Sequence, residues 1–425
     1  MKTLFSAFAL LLVAGVQAQP HDLLLKGGRV IDARNNIDGL LDVAVSNGKI
    51  AAVKAGIAPT EAKQVIDVTG LVVTPGLVDI HVHLFATTGL KDAWAGDNSV
   101  LPDGFSFRTG VTTMVDAGSS GWRNFETFRH TVIDRAQTRV FAMINIAGLG
   151  MSSNAAEQVP GEFQPAEVVR LAIKHKDVVV GVKSAHYEHP DWSSVDRAVE
   201  AGTAAQIPVM VDFGFFRPER PYWELVTERL RPGDISTHCF RASVPWIDEN
   251  NKVYDYLYRA RARGVKFDVG HGAGSFVFRN AVPAIKAGFY PDSISTDLHA
   301  TSMNTGLMDM TTTMSKFLVM GMPLKEIIRS STWNPAQEIN HPELGHLSVG
   351  AVADVAVLRV DEGNFGYGDS KGGQLRAKER LFCELTLREG KIVWDLNARG
   401  GVDYRTLPAD YGLRPNIDVI VIPKK

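Results

Sequence analysis

Eight short runs of β-branched and other apolar residues recur between Leu71 and Asp297, and a longer stretch able to form a helix follows each. The first is the run from Leu71 into His81-Val82-His83. The others are Val111–Ala117, Val140–Ile146, Val178–Ser184, Val209–Phe213, Ile235–Cys239, Val265–Val269 and Ser293–Asp297. Strands that alternate with helical crossovers must lie parallel. Eight of them over ~250 residues is the size of a closed cylinder, so the expected class is α/β, a (β/α)8 TIM barrel. Helices are expected at Ala166–Lys174, Ser194–Ala205, Val253–Arg263 and Leu324–Ser331. The competing open doubly wound sheet lacks its Gly-rich phosphate turn after the first run.

The flanks differ. Asp22–Val53, Ala351–Val360 and Leu381–Trp394 read as short strands with Gly turns, which predicts antiparallel pairing. Both ends carry a Gly-Lys-Ile phrase, at Gly48 and at Gly390, and the two termini are expected to build one small β-sandwich. The organisation is then a leader at 1–18, sandwich strands at 19–74, the barrel at 75–345, and the rest of the sandwich with a Pro-bearing tail at 346–425. The leader has the three parts of an export signal: Lys2, an apolar stretch from Leu4 to Val16, and small residues before Gln19. A secreted or periplasmic protein is expected, with no membrane attachment after cleavage. At 425 residues and 45% hydrophobic content the chain can bury a large core, and a net charge of -2 gives no case for nucleic acid. Two cysteines, Cys239 and Cys383, make no disulfide framework, and Cys239 is given no role. The expected partner is a small-molecule substrate; a homo-oligomer is compatible with the sequence.

In such a barrel the chemistry sits at the C-terminal strand ends. Strand one presents His81 and His83, which at i and i+2 share a face and aim two imidazoles at one point, a metal-binding arrangement. Strand four ends in Lys183, strand six in His238, strand seven in His271 and strand eight in Asp297. Each alone is ordinarily a hydrogen-bonded or solvated side chain, or, for Asp297, a helix cap. Polar groups at the same end of five strands must converge. An ammonium at Lys183 would be repelled by cations there, unless it loses its proton or becomes a carbamate with carbon dioxide.

These residues, with the PGLVDIHVH entry, the FDVGHG, STDLH and STWNPA phrases and the GHLSVGAVADVAVL exit, resemble the amidohydrolase superfamily. Within it they resemble the dihydroorotase-related deacetylase group. The resemblance covers nearly all of the chain beyond the leader. It implies two divalent ions, usually zinc: His81, His83 and Asp297 on the more buried one, a carboxylated Lys183 bridging, and His238 on the second. One position departs. Where the group usually shows a His at the end of strand five, this chain has Asp212, which leaves three alternatives: Asp212 is a ligand, His186 folds back to replace the imidazole, or the site holds one metal.

The expected activity is hydrolysis of an amide, cyclic amide or activated ester by a metal-bound hydroxide, with Asp297 as ligand and proton shuttle. His271, His299 and Asn304 are expected to face the substrate, and one of Arg217, Arg220 and Arg279 to hold a substrate carboxylate. Two other readings keep the fold: a mononuclear deaminase-like enzyme, and an exported metal-binding protein without catalysis.

Overall fold

The computed structural model describes residues 20–214, 217–306 and 309–413. The expected leader and the end of the tail beyond Leu413 lie outside them. Five strands open the chain: β1 (His21–Asp32), β2 (Ile37–Ser46), β3 (Lys49–Lys54), β4 (Ala62–Asp67) and β5 (Val72–Pro75). Seven more follow: β6 (Leu77–Val82), β7 (Val111–Gly121), β8 (Arg139–Asn145), β9 (Val179–Ser184), β10 (Val209–Asp212), β11 (Ile235–Thr237) and β12 (Lys266–Phe267). They pair in sequence order, all parallel, into one curled sheet.

Helices at Pro165–Lys174, Ser193–Ala205, Asp255–Ala262 and Leu324–Ser331 match the expected ones to within two residues. Every residue of β6 and β7 is buried, as parallel strands covered on both faces require. Val78, Ile80, Val115, Phe141, Met143 and Met210 cluster with Ala336, Ile339 and Leu344 and fill the inside of the curl. Met114, Val140, Val182 and Val209 pack outward with Phe125, Leu171 and Val195 of the helices.

The eighth expected strand, Ser293–Asp297, is not a regular strand. Single parallel bridges join Ser293 to Asp268 and Leu298 to Val82, and backbone bonds reach it from both edges of the sheet. Side chains take over part of its ladder. Asp79 accepts the Thr296 amide at 3.1 Å and the Thr296 hydroxyl at 2.6 Å, and Ser295 accepts the Gly270 amide at 2.9 Å. Burial raises the Asp79 carboxyl to about 7. Asp297 itself is left-handed, with φ 52°, which no strand residue adopts.

The terminal strands form a separate mixed sheet with β13 (Val355–Gly368), β14 (Gln374–Arg388) and β15 (Lys391–Asp395), in the order β15-β14-β13-β5-β1-β2-β3, with β4 alongside β1. It is one continuous sheet, with Leu25, Val43 and Val355 in one apolar cluster and Leu24, Ala44 and Ala62 in another, and it is not purely antiparallel: β4 and β5 run parallel to β1 on either side of a bulge between Leu25 and Gly28. The two Gly-Lys-Ile turns pack on each other, Gly48 within 3.0 Å of Glu389 O as measured from an added Cβ. The β13–β14 hairpin extends well past the expected strand ends, so that Ser370 donates its amide to Phe276 O. Both cysteines are buried free thiols, and no described helix is long and apolar enough to cross a membrane.

Candidate metal centre and active site

His81 on β6 and His83 just beyond it point to the same end of the sheet as Lys183 on β9, Asp212 at the end of β10 and His238 after β11. They meet around a cavity of about 490 Å³ that Trp94, His186, Arg241, Asp297 and His299 also line. Donor atoms of His81, His83 and Asp297 all lie within 4.8 Å of one another, and all three residues are buried. Asp297 Oδ1 is 3.1 Å from His83 Nε2 and 3.7 Å from His81 Nε2.

The outer nitrogen of each ring is already engaged. His81 Nδ1 bonds Thr237 Oγ1 at 2.8 Å, His83 Nδ1 bonds Ser119 Oγ at 2.9 Å, and His238 Nδ1 donates to Gly270 O at 2.5 Å. Behind Thr237, buried Asp268 accepts its hydroxyl at 2.6 Å. Each Nε2 is thereby turned toward the cavity, the orientation that metal-ligating imidazoles receive from their outer partners. Two imidazoles and a carboxylate also form a donor set suited to a zinc-like cation. The residues present fit the implied metal.

Lys183 is fully buried. Its Nζ lies 3.2 Å from His81 Nε2 and 3.4 Å from Met210 Sδ, and it makes no ion pair among the described residues. The alternatives at strand five turn out to share one place. Asp212 Oδ2 is 3.3 Å from His238 Nε2 and 3.4 Å from His186 Nε2, and the His186 Nδ1 bonds the buried Glu157 carboxylate at 2.7 Å. His186 does fold back from its loop, through a left-handed backbone with φ 54°. His238 and Asp297 are left-handed as well, so three cavity residues hold conformations that cost about 1–3 kcal/mol each.

Two glycines of the FDVGHG phrase make room. A Cβ on Gly270 would collide with Thr237 Oγ1 and with Nδ1 of both His238 and His81, and one on Gly272 would strike Asp297 Oδ2. Both have positive φ, 44° and 54°.

Charge follows the same plan. Burial alone would raise the Asp297 carboxyl, but His299, His83 and His81 around it hold it far below the carboxylate range. Burial, aided by Lys183, pulls His81 down to about 3, so it is neutral and its Nε2 can accept a cation. Burial also lowers the Lys183 amine, against the pull of Asp212 and Asp297. His186 goes the other way: Glu157 and Asp212 overcome its burial and raise it to about 9.

His299 reaches the cavity, with its Nε2 3.9 Å from Asp297 Oδ2 and its ring 4.1 Å from that of Trp94. His271 does not. It turns away to stack on Phe276 at 4.6 Å, and its Nε2 bonds Lys316 Nζ at 2.7 Å. Asn304 is exposed and its amide bonds Ala300 O one helical turn back, so it is not brought to the substrate side. None of the three expected arginines lines the cavity. Arg217 bonds Glu188 O, Arg220 is buried against Tyr187 and Trp192, and Arg279 edges a different groove.

The arginine that enters is Arg241, three residues after His238 and overlooked in the sequence although its proximity to a proposed ligand was a usable signal. Glu157 carried no such signal, since it comes from a short helical turn far from any strand end.

A family model described as the amidohydrolase family matches residues 276–375. A deacetylase of Agrobacterium fabrum is 35% identical over 79% of this chain and 82% of its own length. A deacetylase of Brucella anthropi is 34% identical over 87% and 92%. Among solved structures, an adenine deaminase is 30% identical with a TM-score of 0.79, covering 88% of this chain and all of its own. A dihydroorotase is 29% identical with a TM-score of 0.75, covering 88% and 99%. With identity of this level running nearly the full length of its relatives, the chain belongs to the amidohydrolase superfamily of hydrolases.

Proposed function

We propose that the chain is a metal-dependent deacetylase, cleaving an acyl group from an amide or activated ester. The observation that carries this is the buried convergence of His81, His83 and Asp297 with every outer imidazole nitrogen engaged. The two deacetylases similar over most of their length supply the reaction class. A divalent cation, zinc by its donor set, would supply Lewis acidity toward a carbonyl and acidify water.

His81, His83 and Asp297 would hold the first ion. Lys183, buried and without a carboxylate partner, fits as a carbamate ligand between two ions, and His238 with Asp212 and His186 would hold the second. Asp297 stays ionised at neutral pH and can take a proton from the attacking water and pass it to the leaving nitrogen or oxygen, a role worth ~10²–10⁴-fold. Trp94 and His299 wall the cavity on that side. We also read the bonds on both edges of Ser293–Asp297 as closing an eight-stranded barrel, and residues 1–18 as an export signal.

The test is metal analysis with an acetate-release assay on N-acetyl and O-acetyl compounds. Asp297→Asn should lower the rate by at least ~10²-fold while circular dichroism stays native. A variant of near-normal rate removes Asp297 as shuttle, and a panel with no acetate release removes the deacetylase reading. The similarity to an adenine deaminase supports a second reading, hydrolytic deamination, which ammonia release from amino-purines would reveal.

A further inference from the structure

Among the described residues, Lys316 is a buried cation that the proposed reaction does not use. It sits on the helix Met310–Val319, is fully buried, and makes no ion pair with a described carboxylate. Its Nζ meets three acceptors: His271 Nε2 at 2.7 Å, Gly306 O at 2.9 Å and Gly368 O at 2.7 Å. A carbonyl oxygen can only accept, so His271 Nδ1, 2.9 Å from Gly272 O, carries the imidazole proton. Burial and the neighbouring Lys316 hold His271 well below the ordinary imidazole value, so the ring is neutral and its Nε2 offers a lone pair. An ammonium has three protons, one for each acceptor, and a neutral amine would still hold two of them.

The three acceptors belong to separate segments that bear on the cavity. His271 lies between Gly270, whose O accepts His238 Nδ1 at 2.5 Å, and Gly272, where a Cβ would strike Asp297 Oδ2. Ala273, Gly274 and Ser275, which follow, line the cavity. Gly306 lies just past the helix Ala300–Asn304, in the segment that starts at Asp297 and brings His299 and Thr301 to the cavity. Gly368 ends β13, and the turn beyond it reaches back to the first segment. Ser370 accepts the Phe276 amide on its hydroxyl at 3.1 Å and donates its own amide to Phe276 O at 2.9 Å, and Asp369 accepts the Phe278 amide at 3.1 Å. The Phe276 ring stacks on His271, with centroids 4.6 Å apart.

We propose that Lys316 is a positioning residue: its amine fastens the 270–276 loop, the 297–306 segment and the β13–β14 hairpin of the terminal sheet to one another, and so fixes where Asp297 and His299 stand. Its kinetic consequence rests on the hydrolytic reading above. Lys316 is not among the residues that line the cavity, so it acts through these segments and not on substrate. Hydrogen bonds from a charged donor are about twice as strong as neutral ones, which suits one side chain to holding three segments. The hairpin thereby gives the terminal sheet a direct part in the order of the cavity.

The experiment is amide hydrogen exchange read by mass spectrometry on the full chain, with acetate-release kinetics alongside. Lys316→Met keeps the apolar stem and removes every donor. Residues 270–276, 298–306 and 366–373 should then exchange together, about 10-fold faster than in wild type, while protection elsewhere is unchanged. The kcat should fall about 10–10²-fold with KM within about threefold of wild type, because groups are misplaced while the binding surface stays. Ser370→Ala removes one hold of the hairpin on Phe276 and leaves Lys316 in place. It should speed exchange about threefold at 270–276 and 366–373 and leave 298–306 as in wild type. A Lys316→Met chain of native circular dichroism whose three segments exchange as in wild type overturns the inference, as does a raised KM at unchanged kcat. Should Lys316→Met fail to fold, wild-type exchange throughout Ser370→Ala overturns it. A wild type that releases no acetate removes the hydrolytic reading, and the exchange pattern alone then decides this one.

Discussion

Gly272→Ala tests how tightly the loop after β12 is matched to Asp297. The backbone there is left-handed, with φ 54°, and an alanine in that region costs roughly 1–2 kcal/mol. The new methyl would also overlap Asp297 Oδ2, one of the two carboxylate oxygens in the cavity. Relief requires the carboxylate to move by about 1 Å, and a displacement of that size at a catalytic group costs about 10²-fold in rate. Asp297 has little freedom to follow, since its own φ is 52° and its amide is held by His81 O at 2.6 Å. The expected outcome is a loss of about 1–3 kcal/mol in denaturant unfolding, a kcat/KM lowered by about 10²-fold, and fewer metal ions retained after dialysis. Gly39→Ala, where an added Cβ meets nothing within 4 Å, is the control and should match wild type in all three. A Gly272→Ala protein with full metal and a rate within threefold of wild type refutes the claim that this glycine is required by the position of Asp297.

Other outcomes follow from the same geometry. Thr237→Val removes the hydroxyl between Asp268 and His81; the buried carboxylate loses a donor, at about 1–3 kcal/mol of stability, and metal affinity should fall ~10–100-fold by competition with a chelator. Unchanged affinity would show that His81 is oriented without Asp268. Elemental analysis of Asp212→Ala and His186→Ala against wild type counts the ions: loss of about one ion per chain in both variants is expected, because the His186 and His238 Nε2 atoms both meet the same Asp212 oxygen. Retention in either assigns the second position to the other residue. Lys316 gives a pH dependence. Burial lowers its amine from 10.5 to about 7 in the folded chain, so the unfolded chain binds the extra proton between these values and stability rises with pH across that window. In Lys316→Met this rise should be absent from denaturant midpoints measured from pH 7 to 10; an identical pH profile would exclude a buried neutral amine.

The expected chemistry at β6, β9, β11 and the last run was readable because strand periodicity is local. A residue at i+2 must share a face with its neighbour, and the end of a buried run fixes where that face meets solvent. His81, His83, Lys183, His238 and Asp297 needed nothing else to be placed at one end of the sheet. Periodicity stops at the strand end. Whether His186 returns to the cavity depends on a left-handed backbone and on a Glu157 carboxylate from another segment, and Asn304, in the loop after Asp297, faces solvent instead. His271 follows its strand yet turns to Lys316, which belongs to a helix 45 residues away and is also bonded to Gly368 O of the β13–β14 hairpin. Ser293–Asp297 reads as a strand because its residues suit one; Asp79 and Ser295 side chains replace its ladder partners only once the sheet has curled to bring them there. The amino-acid order thus determined which groups stand at the mouth of the sheet. Tertiary contacts decided which loop side chains join them, since a loop residue's direction is set by what packs against it rather than by its neighbours in the chain.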